Sequence, residues 1–173
     1  MWQVFMVAFI FFIKMIGVLY NIRSIFNTAS IFRSSDALCL EKLYLVGYTP
    51  EPVNKFGREV EKFKKVSLGA EKTVPWEKKK DIIKLIKKLK KEGYKILSLE
   101  ITDKAIPYFE YYPNNDKIAL IVGNEIDGLP KKVLDNSDKV LYIPMKGKKE
   151  SLNVAIAFSI VAFHLKYRKT KRL

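Results

Sequence analysis

Apolar and polar positions fall into two kinds of block along this chain. Short apolar runs at residues 16–20, 41–47, 94–101, 117–122 and 139–143 are cut off by Gly, Pro, Asn or charged residues, which predicts strands. Between them lie segments of helical period. Residues 24–38 predict a helix that Asn21 or Ser24 can cap. Residues 76–91 predict an amphipathic helix with Ile82, Ile83, Ile86 and Leu89 on one face and lysines over the rest, stopped by Gly93. A short helix near 131–134 and a longer one over 151–167 complete the set. Residues 48–72 carry Pro50, Pro52, Gly57 and Gly69 among many charges and read as a long surface excursion. Residues 106–113 read as an aromatic loop or short helix. Strands alternating with helices predict a parallel sheet covered on both faces.

The 173 residues suffice for one domain with a full core, and 49% apolar content argues against disorder. A net charge of +14 and a pI of about 9.7 point to a polyanionic partner, nucleic acid being the commonest. The lysine-rich helix and the basic tail at 168–173 lack interleaved aromatics, which suits phosphate contact or a solvated face. The Tyr108–Tyr112 cluster suits base stacking, a packed loop or a dimer contact equally.

The first 13 residues are apolar but for Gln3, and Lys14 follows. The run is shorter than the ~20 residues that span a bilayer, and no basic region precedes it as in a secretory signal. Met15 opens a clean first strand. Residues 1–14 therefore read as an extension outside the domain, with translation starting at Met15 or the extension dispensable. A membrane anchor is the less favoured alternative. The domain is expected over 15–167.

Several chemistries lack their residues. Cys39 and His164, one of each kind, cannot build a Cys/His zinc site, so no metal is expected. There is no GxSxG elbow, P-loop or GxGxxG, and His164 reads as a packed or partly exposed histidine. The lone cysteine is compatible with a reducing cytoplasm. Two strand ends are more suggestive. Gly123 follows the apolar run 119–122 and begins Gly123-Asn124-Glu125. Ile143-Pro144-Met145 closes the next strand, and Ser151-Leu152-Asn153 opens the last helix, with Ser151 as its natural N-cap. Polar groups just after parallel strands form the usual ligand crevice.

These two blocks, 118–130 and 140–165, resemble the second and third signature motifs of the SpoU/TrmH family of the SPOUT superfamily of RNA methyltransferases. Residues 21–33, from Asn21 to Arg33, are similar to its first motif, and 67–77 to its small single-domain branch. The resemblance covers about residues 16–165. It implies a SPOUT-type α/β knot, a mostly parallel sheet with helices on both faces and a trefoil knot in the C-terminal third. It implies S-adenosylmethionine as cofactor, held by backbone around Leu99, Gly123, Ile143 and Leu152, with Asn124, Met145 and Ser151 nearby. It implies methyl transfer to a ribose 2′-hydroxyl of tRNA or rRNA in the cytoplasm.

On the residues alone, Arg33 reads as a helix-surface arginine paired with Asp36. The resemblance aligns it with the family's catalytic arginine, a group able to grip a phosphate and stabilise a developing oxyanion. Asn27, Glu125, Ser151 and Asn153 complete the expected catalytic set, with Glu125 orienting Arg33. A homodimer is implied, one subunit's Arg33 lying near the other's cofactor, and the apolar segment 154–165 suits the interface. Ala29 stands where the family often has Gly. The rival readings are a base methyltransferase on the same fold and a non-catalytic RNA-binding protein that keeps the pocket.

Overall fold

The computed structural model describes residues 13–114 and 117–167. The N-terminal extension, but for Ile13 and Lys14, and the basic tail lie outside the described residues.

Seven strands form one sheet: β1 Met15–Tyr20, β2 Lys42–Val46, β3 Trp76–Lys79, β4 Tyr94–Leu99, β5 Ile106–Pro107, β6 Lys117–Val122 and β7 Lys139–Tyr142. Their order is β3-β2-β1-β6-β4-β7-β5, and every neighbouring pair is parallel. Six helices cover it: α1 Ile25–Ala37, α2 Glu61–Ser67, α3 Ala70–Thr73, α4 Ile82–Lys91, α5 Lys131–Leu134 and α6 Val154–Tyr167.

The strand period of two divides the core into two layers. Met15, Leu19, Leu43, Leu45, Leu97, Leu120 and Val122 point to one face, where α1, α2 and α6 bury Phe32, Phe63, Phe158 and Leu165. Ile16, Val18, Tyr44, Val46, Ile96 and Ile121 point to the other, beneath Leu85, Ile86 and Leu89 of α4 and Val133 of α5. Gly17 lies in the first layer. A Cβ there would come 2.5 Å from Leu43 Cδ2 and 3.1 Å from the Phe158 ring, so the missing side chain makes room for Leu43 of β2 and Phe158 of α6. Phe158→Ala should lower the free energy of unfolding by about 3–5 kcal/mol, read from urea denaturation, because the site cannot collapse against a sheet.

Three expectations are corrected, and one, over residues 106–113, is refined. Residues 76–79 are not helical. They pair in parallel with β2 as an edge strand, Leu43 opposite Trp76, and α4 begins only after Asp81, whose carboxylate accepts from the amides of Ile83 (2.9 Å) and Lys84 (3.0 Å). The excursion over 48–72 carries α2 and α3, and Phe63 is fully buried edge-on against Phe32. Residues 106–110 form β5 and one 3-10 turn, where Tyr108 and Tyr111 pack on the core and Tyr108 meets the His164 ring edge-on. The last helix is capped by Asn153, not Ser151: Asn153 Oδ1 accepts from the amides of Ala155 (2.9 Å) and Ile156 (3.4 Å). No helix of the described residues is long and apolar enough to cross a membrane.

Candidate active site

Strands β6, β4 and β7 are adjacent in the sheet, and their carboxyl ends open into one cavity of about 520 Å³. That is within the range of small-molecule and cofactor sites. Leu99, Gly123, Asn124, Ile143, Met145, Ser151 and Leu152, read from the sequence as cofactor-binding, all line it, as do Glu125 and Asn153. Arg33 does not. It lies exposed on α1, away from the cavity of its own subunit.

The wall is chemically selective. Glu100, Glu125 and Asp127 contribute carboxylates, and no lysine or arginine of the described residues lines it, although the chain carries +14 overall. Such a wall disfavours a polyphosphate and suits a ligand bearing positive charge. S-Adenosylmethionine, with a sulfonium and an ammonium group, fits that description. Leu99, Ile143 and Leu152 supply the apolar surface an adenine needs. Among the described residues no group of three His, Cys, Asp or Glu side chains is placed to hold a metal.

Three distant chain segments are tied together at the cavity mouth. Glu125 accepts hydrogen bonds from the backbone amides of Arg23 (2.9 Å) and Ser24 (3.2 Å) and from Asn27 Nδ2 (2.8 Å). Asn27 Oδ1 in turn accepts from Asn153 Nδ2 (3.0 Å), whose own oxygen caps α6. Asn27 therefore joins the loop after β6 to the start of α6. It sits in the first turn of α1, where Ser24 Oγ accepts from its amide (3.2 Å). Within one subunit Glu125 does not pair with Arg33: its oxygens are taken by the amino end of α1, where negative charge is favoured. Arg33 does not pair with Asp36 either, which accepts instead from the Thr73 hydroxyl.

Partial burial pushes the Glu125 carboxyl up, but the amides of Arg23 and Ser24 and the Asn27 side chain outweigh it and hold the group below the usual carboxylate range. A depressed folded pKa contributes stability above the unfolded value, near 4.5, and loses it as pH falls through the folded one. Glu125→Gln should thus be less stable than the parent chain at neutral pH. The gap in urea midpoint should close as the pH is taken below about 4.5.

Asn124 is buried and its side chain is committed to the loop. Its oxygen accepts from the amides of Ile126 (2.8 Å) and Asp127 (3.0 Å), and its Nδ2 donates to the Asn21 carbonyl (3.0 Å) and to the Tyr48 hydroxyl. It shapes the cavity and has no side-chain atom to spare for a ligand. Glu100 was missed by sequence reasoning. One of its oxygens accepts from the Leu129 amide (2.7 Å) and the other from the Ile101 amide (3.0 Å). It holds the far end of the same loop, and Gly128, at φ +62°, lies so near that a Cβ would be 2.3 Å from Glu100 Oε2. An acidic residue directly after an apolar strand was the available signal.

A parallel sheet covered on both faces, with a cavity at the carboxyl ends of its inner strands and the last helix returning over it, is the build of a SPOUT-type α/β domain. The structure aligns with an AdoMet-bound rRNA methyltransferase from Sinorhizobium meliloti at a TM-score of 0.78 and 23% identity, covering 87% of this chain and 54% of that one. It aligns with the Aquifex aeolicus TrmH/SpoU tRNA-modifying enzyme at 0.75 and 24% identity, covering 89% and 76%. The chain belongs to the SpoU rRNA Methylase family, whose profile matches residues 14–163. Among curated relatives, it is 32% identical over 140 residues to the 23S rRNA (guanosine(2553)-2′-O)-methyltransferase RlmP of Bacillus subtilis, covering 81% of this chain and 53% of that protein. It is 26% identical over 152 residues to the tRNA (guanosine(18)-2′-O)-methyltransferase of Aquifex aeolicus, covering 88% and 68%. The chain spans about half the length of the first relative and about two thirds of the second.

Proposed function

We propose that this chain is an S-adenosylmethionine-dependent methyltransferase acting on a ribose 2′-hydroxyl of tRNA or rRNA, as a cytoplasmic homodimer. The observation that carries the reading is the Glu125–Asn27–Asn153 chain, which draws three motif segments to the mouth of a cavity free of basic side chains. The relatives' names support the reaction and leave the RNA open, one acting on 23S rRNA and another on tRNA.

In this reading Leu99, Ile143 and Leu152 hold the adenosine, with backbone near Gly123, while the surrounding carboxylates balance positive charge. The cofactor supplies an electrophilic methyl group. A ribose hydroxyl is a weak nucleophile, so the protein must position it and stabilise the charge that grows on its oxygen. Arg33 grips the neighbouring phosphate through its two-pronged guanidinium, and that phosphate takes the hydroxyl proton. Asn27, Glu125, Ser151 and Asn153 act as positioning residues. The trefoil knot of the C-terminal third belongs to this same proposal.

Arg33 reaches the reaction from a partner subunit. Along the outward side of α6, Ile156, Ile160, Phe163 and Tyr167 recur at helical spacing, with Phe26 of α1 beside them. Phe26 is 54% exposed, Ile156 53% and Phe163 41%, an apolar stripe that a monomer would leave in water. Arg33 lies two turns from Phe26 on the outward side of α1. Phe163→Asp should therefore give monomers in sedimentation and lose methyl transfer with them. Subunit mixing tests the shared site. Arg33→Ala and Gly123→Ala chains, each inactive alone, should regain activity as heterodimers, in which one intact cavity meets one intact arginine. Mixtures that stay inactive while forming heterodimers would refute the shared site.

A further inference from the structure

Phe56 is 73% exposed, more than any other large apolar side chain of the described core and surface. A lone exposed ring needs no explanation by itself, but this one is held out on a braced finger. Val53 and Glu59 pair as an antiparallel bridge at its base, and the Asn54 amide donates to the Arg58 carbonyl (2.8 Å). Asn54 Oδ1 accepts from the amides of Phe56 (2.9 Å) and Arg58 (3.1 Å), and Gly57 turns the tip at φ +76°. The chain thus fixes the backbone that presents the ring and leaves the ring itself in solvent.

The charges around the finger are sorted. The acids at its base are neutralised, Glu51 by Lys78 (3.3 Å) and Glu59 by Lys64 and Lys72 (2.9 Å each). The cations at its tip are not: among the described residues neither Lys55 nor Arg58 has an acidic partner. Lys55 Nζ stands over the Phe56 ring, 5.0 Å from its centre, and most of the side chain is still in solvent. The finger belongs to the segment after the carboxyl end of β2, the same end of the sheet at which the cavity opens. It follows β2, which lies two strands, or roughly 10 Å, from β6. Tyr48, where the excursion begins, bonds through its hydroxyl to Asn124 in the cavity wall.

An exposed aromatic ring on a turn that also carries two cations without acidic partners is complementary to an unpaired nucleobase and its flanking phosphates. We propose that the 53–59 finger is a substrate-binding element that stacks Phe56 on an unpaired base of the RNA, while Lys55 and Arg58 hold the flanking phosphates. This rests on the RNA-methyltransferase reading and extends it, because it makes the preferred substrate one with a single-stranded segment near the methylated ribose.

The test is fluorescence anisotropy with labelled oligoadenylate and with a blunt RNA duplex of equal length, using the full chain. Phe56→Ala should weaken oligoadenylate binding roughly 5- to 150-fold, the worth of one stacked base, with little change for the duplex. Phe56→Trp should retain the affinity. Lys55→Ala and Arg58→Ala should each reduce the slope of log affinity against log salt by about 0.7. Equal binding of oligoadenylate by Phe56→Ala and the parent chain would overturn the proposal. So would equal losses in the Ala and Trp variants, or a change of oligomeric state in Phe56→Ala, which would make the ring a subunit contact. Calorimetric titration with S-adenosylmethionine separates the two levels. A parent chain that binds cofactor while Phe56→Ala loses nothing refutes the finger alone, whereas a parent chain that binds neither cofactor nor RNA refutes the enzyme reading with it.

Discussion

Arg33→Ala should lower the rate of methyl transfer to RNA by about 10²–10³-fold, the usual cost of removing one donor from a developing oxyanion. It should leave the affinity for S-adenosylmethionine unchanged. The split follows from position. Arg33 is exposed on α1, lines no part of the cavity in its own subunit, and within that subunit bonds to neither Glu125 nor Asp36. No contact on which the fold depends is lost with its guanidinium, so the urea midpoint should also stay in place. Arg33→Lys should recover little, because an ammonium cannot form the paired bonds of a guanidinium to a phosphate. Equal loss of cofactor affinity and rate would show instead that Arg33 supports the cavity.

Gly123→Ala should abolish measurable cofactor binding and lower stability by about 1–3 kcal/mol, the usual cost of an atom forced into a filled space. A Cβ at this position would sit 2.6 Å from both the carbonyl carbon and the oxygen of Gly128, and 2.9 Å from Leu129 Cδ2. The first two are backbone atoms and cannot rotate away. The loop over 124–129 would have to move, and it is held at one end by Asn124 and at the other by Glu100. Its displacement would break the wall that carries Glu125 and Asp127. Calorimetry checks the first part and urea denaturation the second. Undiminished binding would mean that this corner lies outside the cofactor site.

The inner strands were legible because burial on both faces writes a continuous apolar run. Residues 117–122 and the short helix at 131–134 stand where the pattern put them. The edge strand β3 was not, since Lys78 and Lys79 are tolerated where one side meets water and their acidic partners Glu51 and Glu77 lie within reach. The helix α2 was hidden among lysines, with Phe63 as its one fully buried apolar side chain. Strand order was beyond any periodicity: nothing local places β6 between β1 and β4.

The candidate site divides in the same way. Motifs at strand ends could be listed from the chain, and the cavity gathers them. The bonds among them could not, because they join residues about a hundred positions apart, as Glu125 and Asn27 do. Asn124 and Asn153 look alike in sequence, yet one braces its own loop and ties it to Asn21 and Tyr48, while the other caps a helix and reaches Asn27. The apparent cap Ser151 is left lining the cavity because the cap falls two residues later than the sequence suggests, at Asn153.

If this cavity and a partner's arginine together methylate a sugar oxygen, the purified chain, incubated with methyl-labelled S-adenosylmethionine and total RNA from cells lacking the protein, should place label in a 2′-O-methylated nucleoside, read by digestion to nucleosides and mass spectrometry. The label should be absent with Arg33→Ala. Label on a base, or none in any nucleoside, would contradict this reading.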